Sequence, residues 1–165
     1  MAATDRFRPS VTVAAVIERD GHYLLVEEET AEGLMLNNPA GHVELGESPI
    51  AAVVRETLEE TMRAFTPAAF LGVYLARFVR PARLEDVTYV RLAFSGAVGE
   101  EIAGRTLDDG IRRTLWMTEA ELAACTDRHR SPLVLQCVRD FAAGRRLPLD
   151  TVFTHPSLAQ PWVKE

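Results

Sequence analysis

Glu56, Glu59 and Glu60 stand three and four residues apart in VVRETLEETM, residues 53–62. At about 100° of rotation per residue, a helix gathers their side chains within roughly a 100° arc of one face. Carboxylates so placed repel one another, and toward the end of the helix they meet the negative end of its dipole. Helix stability alone argues against the cluster. A divalent cation removes both objections. Hard carboxylate oxygens suit magnesium, which keeps several waters and binds substrate phosphates as well.

The residues before the helix must position that cluster. Asn38, Pro39, Ala40 and Gly41 read as a tight turn into a short extended piece, and Gly41 lets the backbone approach a ligand closely. Leu45, Gly46 and Glu47 form a second turn. Ser48 is a good N-cap and Pro49 a good first helical residue, which predicts a helix over 49–62. Ile50, Val53, Val54 and Leu58 give it an apolar side to bury. Arg55, between Glu47 and Glu59, is placed to tie loop to helix through a bidentate contact.

Together these residues resemble the Nudix box, G-x5-E-x7-R-E-U-x-E-E-x-G-U, where U is a bulky aliphatic. Gly41, Glu47, Arg55, Glu56, Glu59 and Glu60 match it in register. Alone, the R-E-x-x-E-E run reads as a solvated helix face; with Gly41 and Glu47 in register it reads as a metal site. Thr57 replaces an aliphatic, Met62 the closing glycine and Arg63 a final apolar residue. A glycine there ends the helix in a left-handed conformation, so Met62 predicts a helix that runs on or ends differently. The resemblance implies an α+β fold, an α/β/α sandwich with a mixed sheet between helices. It also implies a hydrolase that attacks a phosphorus anhydride with water, using magnesium, or manganese in its place. On that reading Gly41, Glu56, Glu59 and Glu60 hold the metal, Glu56 or Glu59 is the general base, and Arg55 and Glu47 fix the loop. Outside the box, residues 8–29, NNPAGHVE, RSPLV and GRRLPL resemble a phosphatase branch of the family. That branch releases terminal phosphate from nucleoside tri- and diphosphates and acts on hydroxymethylpyrimidine and thiamine pyrophosphates.

Composition sets the frame. A chain of 165 residues fits one domain over 1–165, with a core over about 8–150 and an extended C-terminal tail. A domain of that length buries roughly 70% of its unfolded surface. The net charge of −6 argues against a nucleic-acid or membrane surface, leaving a small phosphorylated molecule as the expected partner. Monomer and homodimer stay equally open. Among 18 basic residues the single lysine is Lys164, a bias that lowers the weight of any one arginine as a ligand. Cys125 and Cys137 match no zinc spacing, and Cys137 falls on an apolar stripe. No apolar run is long enough for a membrane span or a signal peptide. The expectation is a reduced, cytoplasmic protein.

Along the chain, residues 10–18 and 22–29 read as a hairpin about Asp20 and Gly21. A polar loop then leads to the short strand before the helix. Residues 69–79 and 87–98 are strand candidates, 99–110 a loop and IRRTLWM a strand. Thr118 caps a brief helix, and Ser131 and Pro132 open a second main helix that Gly144 ends. Beyond the box, Glu100, Glu101, Asp108 and Asp109 are candidates to complete the site, with Asp108 and Asp109 first. Glu44 and His42 lie beside it. Arg77, Arg80, Arg83 and Arg91 could meet phosphates, and Tyr74, Phe78 or Tyr89 could stack on a base; Trp116 reads as core. Two other functions fit the same residues: a pyrophosphohydrolase of oxidised nucleotides, ADP-ribose or dinucleoside polyphosphates, and a non-catalytic nucleotide-binding module.

Overall fold

Asp20 and Gly21 both adopt positive φ, 50° and 77°, as a two-residue turn between right-twisted strands requires. The turn joins β1 (Ser10–Arg19) to β2 (His22–Thr30). In the computed structural model, which describes residues 7–80 and 84–161, the two strands pair only beside the turn, through Glu18 with Tyr23 and Arg19 with His22. Beyond it they diverge. β1 runs parallel to β6 (Glu85–Glu101), from Ser10 opposite Tyr89 to Ile17 opposite Gly96, and antiparallel to β4 (Ala40–His42). β2 pairs antiparallel with β3 (Gly33–Asn37) and β7 (Ile111–Thr118). β5 (Arg63–Arg80) closes the far edge against β6. The result is a mixed seven-stranded sheet.

Val13 to Ile17 of β1 are buried without alternation, the signature of a strand covered on both faces. On one face Val13, Ala15 and Ile17 meet Ala52 and Val53 of α1 (Pro49–Thr61), with Phe65, Phe70 and Phe94. On the other, Val16, Leu25 and Leu71 meet Leu122 of α2 (Glu119–Ala123) and Val134, Cys137 and Val138 of α3 (Leu133–Ala142). Helices on both faces of a mixed sheet make the expected α/β/α sandwich. Cys137 sits in the core, where burial pushes its thiol up to about 11.

Helix α1 starts as expected: Ser48 caps it, its Oγ accepting from the Ala51 amide, and Pro49 opens it. Thr57 takes the aliphatic position without leaving a stranded hydroxyl, because its Oγ1 donates to the Val53 carbonyl at 2.7 Å. The end corrects the expectation from Met62. The helix does not run on: Met62 adopts φ 57°, ψ 21° and its amide donates to the Leu58 carbonyl at 2.9 Å. Methionine occupies the conformation that glycine normally takes.

Four further boundaries differ from the sequence reading. The polar loop contains β3, which the short run GLMLN conceals. β5 begins at Arg63 and not near 69, because Pro67 and two further register shifts break its alternation. β6 continues to Glu101, into the expected loop. The tail is anchored: Leu147 and Phe70 exchange backbone hydrogen bonds at 2.8 and 2.9 Å, and Leu149 and Val152 pack on the core below α1. It then forms 3-10 turns at Leu149–Thr151 and Pro156–Ala159. Among the described residues, no helix is long and apolar enough to cross a membrane.

Glu27 is 4% exposed in β2 and accepts from Arg113 of β7 at 2.8 Å and from Arg128 at 2.6 Å. The Arg113 bond, with help from Arg128 and against the cost of burial, holds its carboxyl below the usual 4.5.

Two measurements test this account. Met62→Gly relieves left-handed strain and raises stability by about 1 kcal/mol, a rise in thermal midpoint of about 2–4 °C; a lower midpoint would mean that packing of the methionine side chain outweighs the strain. Glu27→Gln costs about 1–3 kcal/mol at neutral pH. Because the folded carboxyl titrates below its unfolded value, that difference from wild type is complete above pH 4.5 and shrinks as pH falls through the folded value. A difference independent of pH in denaturant melts would contradict it.

Candidate functional site

β4 runs beside α1, and Arg55 fastens the two together. Its Nε and Nη2 donate to Glu47 Oε1 and Oε2 at 2.8 and 3.0 Å, and Nη2 also donates to the His42 carbonyl at 3.0 Å. Nη1 donates to Glu56 at 2.8 Å and to Glu59 at 3.1 Å. One guanidinium thus holds three carboxylates and a strand carbonyl. The Arg55 hydrogen bonds hold the Glu47 carboxyl below the usual range, and the carboxylates raise Arg55 in turn.

Glu56 is half-buried, and burial raises its pKa despite Arg55, with Glu59 and Asp108 adding to the effect. Glu60 is buried on the β4 side, where its Oε2 accepts from the Ala40 amide at 2.8 Å. Burial pushes its carboxyl well up, and Glu28, Glu56 and Asp108 push the same way. Gly41 makes room for this group: a Cβ there would collide with the Glu56 carboxylate. The link before β7 closes the cluster, because the Asp108 amide donates to the Glu59 carbonyl at 3.0 Å, satisfying a carbonyl that the helix end leaves unpaired.

A cavity of about 230 Å³ opens beside Ala40, Gly41 and His42. Phe78 and Tyr89 form an aromatic wall, edge to face at 5.6 Å, and the His42 ring lies tilted to Tyr89 at 6.2 Å. Arg80 and Arg130 lie on its rim, with Arg91, Asn37 and Glu28 deeper. Arg91 donates to Asn37 Oδ1 at 3.1 Å and to Asn38 Oδ1 at 3.3 Å.

The NUDIX domain family matches residues 6–137. The phosphatase NudJ of Escherichia coli K12 is 30% identical over 146 residues, covering 88% of this chain and 92% of that protein. A NUDIX hydrolase from Nitrosomonas europaea superposes with a TM-score of 0.82 at 45% identity, covering 90% of this chain and 99% of its own. This chain is a Nudix hydrolase. A MutT NUDIX hydrolase from Burkholderia pseudomallei, at 24% identity and a TM-score of 0.64, supports the fold alone. Nudix hydrolases generally use divalent metals and act on small phosphorylated substrates.

The fold of this Nudix hydrolase draws some sequence candidates together and separates others. Glu56, Glu59, Glu60, Arg55, Glu47 and Gly41 meet as described, and Asp108 joins them. Asp109 is exposed. Glu100 and Glu101 leave the group: they pair with Arg63, and Glu100, 87% exposed, also with Arg19. Glu44 is exposed and only grazes Arg55 at 4.0 Å. Phe78, Tyr89, Arg80, Arg91 and His42 line the cavity. Tyr74 does not, being buried with its hydroxyl donating to Asp140 at 2.8 Å. Arg77 pairs with Asp86 on an exposed face, and Arg83 lies outside the described residues. Glu28 went unread. It sits in the Glu27–Glu29 run, and a register shift between Glu27 and Glu28 in the β2–β7 pairing marks the spot; no spacing rule announces such a bulge.

The donor set suits a hard divalent cation. Glu60 feels the charge of Glu28, Glu56 and Asp108, and Glu56 that of Glu59 and Asp108, and among the described residues Glu60 has no cation in contact. Among the described residues, too, no three Asp, Glu, His or Cys side chains already converge on one point. Arg55 takes one oxygen of Glu56 and one of Glu59, which leaves each carboxylate a second oxygen for a cation.

Gly41→Ala tests the geometry. The added methyl displaces the Glu56 carboxylate, and a displacement of about 1 Å lowers kcat on the order of 100-fold. The thermal melt stays close to wild type. Unchanged kcat would show that Glu56 need not rest against Gly41.

Proposed function

We propose that this Nudix hydrolase is a magnesium-dependent phosphatase. It releases terminal phosphate from nucleoside tri- and diphosphates, with hydroxymethylpyrimidine and thiamine pyrophosphates as further candidates. The observation that carries the reading is the junction at Ala40 and Gly41 between two environments. On one side lie the carboxylates tied by Arg55, and on the other a cavity with cationic and aromatic walls. An anhydride attached to a flat ring needs both. The name of NudJ, a phosphatase similar over most of the chain, supports phosphate as the leaving product.

The Glu56, Glu59 and Glu60 group, with the Gly41 carbonyl, would hold magnesium, which would supply neutralisation of the diphosphate charge. The protein supplies the rest. Glu56 and Glu59 each bind Arg55 through one oxygen, which fixes both carboxylates and leaves one of the two to take the proton of the attacking water. Arg55 and Glu47 keep β4 and the loop after it in register with α1. Asp108 anchors the link before β7 against the same helix end.

Product analysis tests the proposal. Wild type and Glu59→Gln are assayed in magnesium buffer with GTP, GDP, hydroxymethylpyrimidine pyrophosphate, thiamine pyrophosphate and ADP-ribose, scoring phosphate and pyrophosphate separately. The expected result is free phosphate from the first four, with kcat lowered about 10²- to 10⁴-fold in the variant. Pyrophosphate release, or cleavage of ADP-ribose alone, would move the protein to another Nudix branch. No turnover by a folded wild type would favour a binding module.

A further inference from the structure

Three arginines face the cavity, and their charges are met differently. Arg80 lies 3.0 Å from Glu85 and 3.5 Å from Glu32, and Arg130 lies 3.5 Å from Glu28. Arg91 is 7% exposed and, among the described residues, has no carboxylate at ion-pair distance. Its side-chain acceptors are the neutral oxygens of Asn37 and Asn38 and the sulfur of Cys137, with Glu28 and Glu60 acting on it through their charge alone. With its oxygen engaged, Asn37, which lines the cavity, is left with amide N–H groups to offer. The deep end of the cavity is therefore rich in donors, and Glu28, its one carboxylate, is turned toward Arg130.

Resting on the hydrolase reading above, we propose that Arg91 determines substrate specificity: the cavity takes a flat heteroaromatic ring against Phe78 and Tyr89, and Arg91 reads a carbonyl on the edge of that ring. Nucleotides of keto bases, uracil and guanine, are preferred to those of amino bases, cytosine and adenine. The physical basis is the cost of a mismatch. A guanidinium only donates, so the carbonyl at C4 of uracil or C6 of guanine satisfies it, whereas the exocyclic amino group at the same position of cytosine or adenine sets N–H against N–H. Aromatic rings stack on any base and do not choose between them. The choice falls to Arg91. At about 230 Å³ the cavity is smaller than the roughly 300–1,000 Å³ of sites that enclose a drug-sized ligand, a fit for one ring system with the phosphates reaching back past Gly41. The amino-edged ring of hydroxymethylpyrimidine pyrophosphate is on this account a poorer substrate than a uridine nucleotide.

The test measures kcat/KM for UTP against CTP and for GTP against ATP, with inorganic tripolyphosphate as a ring-free substrate. Wild type, Arg91→Met and Arg91→Lys are compared. Wild type should favour the keto base in both pairs by about tenfold or more. Arg91→Met should bring both ratios to about one, and Arg91→Lys, which keeps a donor, should retain part of the preference. If Arg91→Met does not fold, Arg91→Lys and the wild-type ratios decide. Equal wild-type rates within each pair would overturn the inference and leave the hydrolase reading intact, as would Arg91→Met lowering all four rates in proportion. No turnover of any nucleotide or of tripolyphosphate would overturn the hydrolase reading, and the inference with it.

Discussion

One guanidinium in the middle of a group of like charges holds the catalytic end of this molecule together. Arg55 is bonded at once to Glu47, Glu56, Glu59 and the His42 carbonyl. Planar, permanently charged and forked, it can do this where a lysine ammonium would offer a single point charge. Without it, the loop from β4 to α1 has no charged tie to the helix. Glu56 and Glu59 would then face each other across one helical turn with nothing between them. Because these groups are only partly exposed, their attraction to Arg55 is screened less than that of a surface pair.

The balance is incomplete by construction. Glu60 lies beyond the reach of Arg55, buried against β4 with one backbone amide for company. Burial, Glu28 and Asp108 all favour its protonated form. A protein selected only for stability would place an apolar residue there. Stability is given up at this end of α1 in return for a place where added positive charge is welcome, and the two cores on either side of β1 bear the cost. The same logic recurs at Arg91 with the sign reversed: a buried cation near the cavity floor is met by amide oxygens and not by a carboxylate.

The local rules read from the sequence held where one element decides the outcome. Ser48 and Pro49 start α1, Thr118 with Glu121 caps α2, and Asp20–Gly21 makes the hairpin. Spacing alone placed Glu56, Glu59 and Glu60 on one face and Arg55 within reach of Glu47. What stayed hidden depended on contacts between distant segments. Met62 takes a left-handed conformation because the chain must turn at once into β5. Tyr74 and Tyr89 look alike in sequence, yet opposite Asp140 one becomes a buried donor while the other lines the cavity. Glu28 is re-aimed by a shift in the β2–β7 register that no periodicity records. By sequence Asp108 and Asp109 rank equally ahead of Glu100 and Glu101; β6 runs on past 98 and carries the glutamates away, and the amide bond to Glu59 picks out Asp108.

The divergence of β1 from β2 has its own consequence. The strands share hydrogen bonds only beside Asp20 and Gly21 and then belong to different halves of the sheet. Thr12 of β1 and Arg91 of β6 line the cavity from one half, Glu28 of β2 and Asn37 of β3 from the other. The cavity is the mouth of a wedge whose apex is the hairpin turn. Arg91 from one half and Asn37 from the other are hydrogen-bonded across that mouth, so the side chains that line the cleft are also the clasp between its two sides.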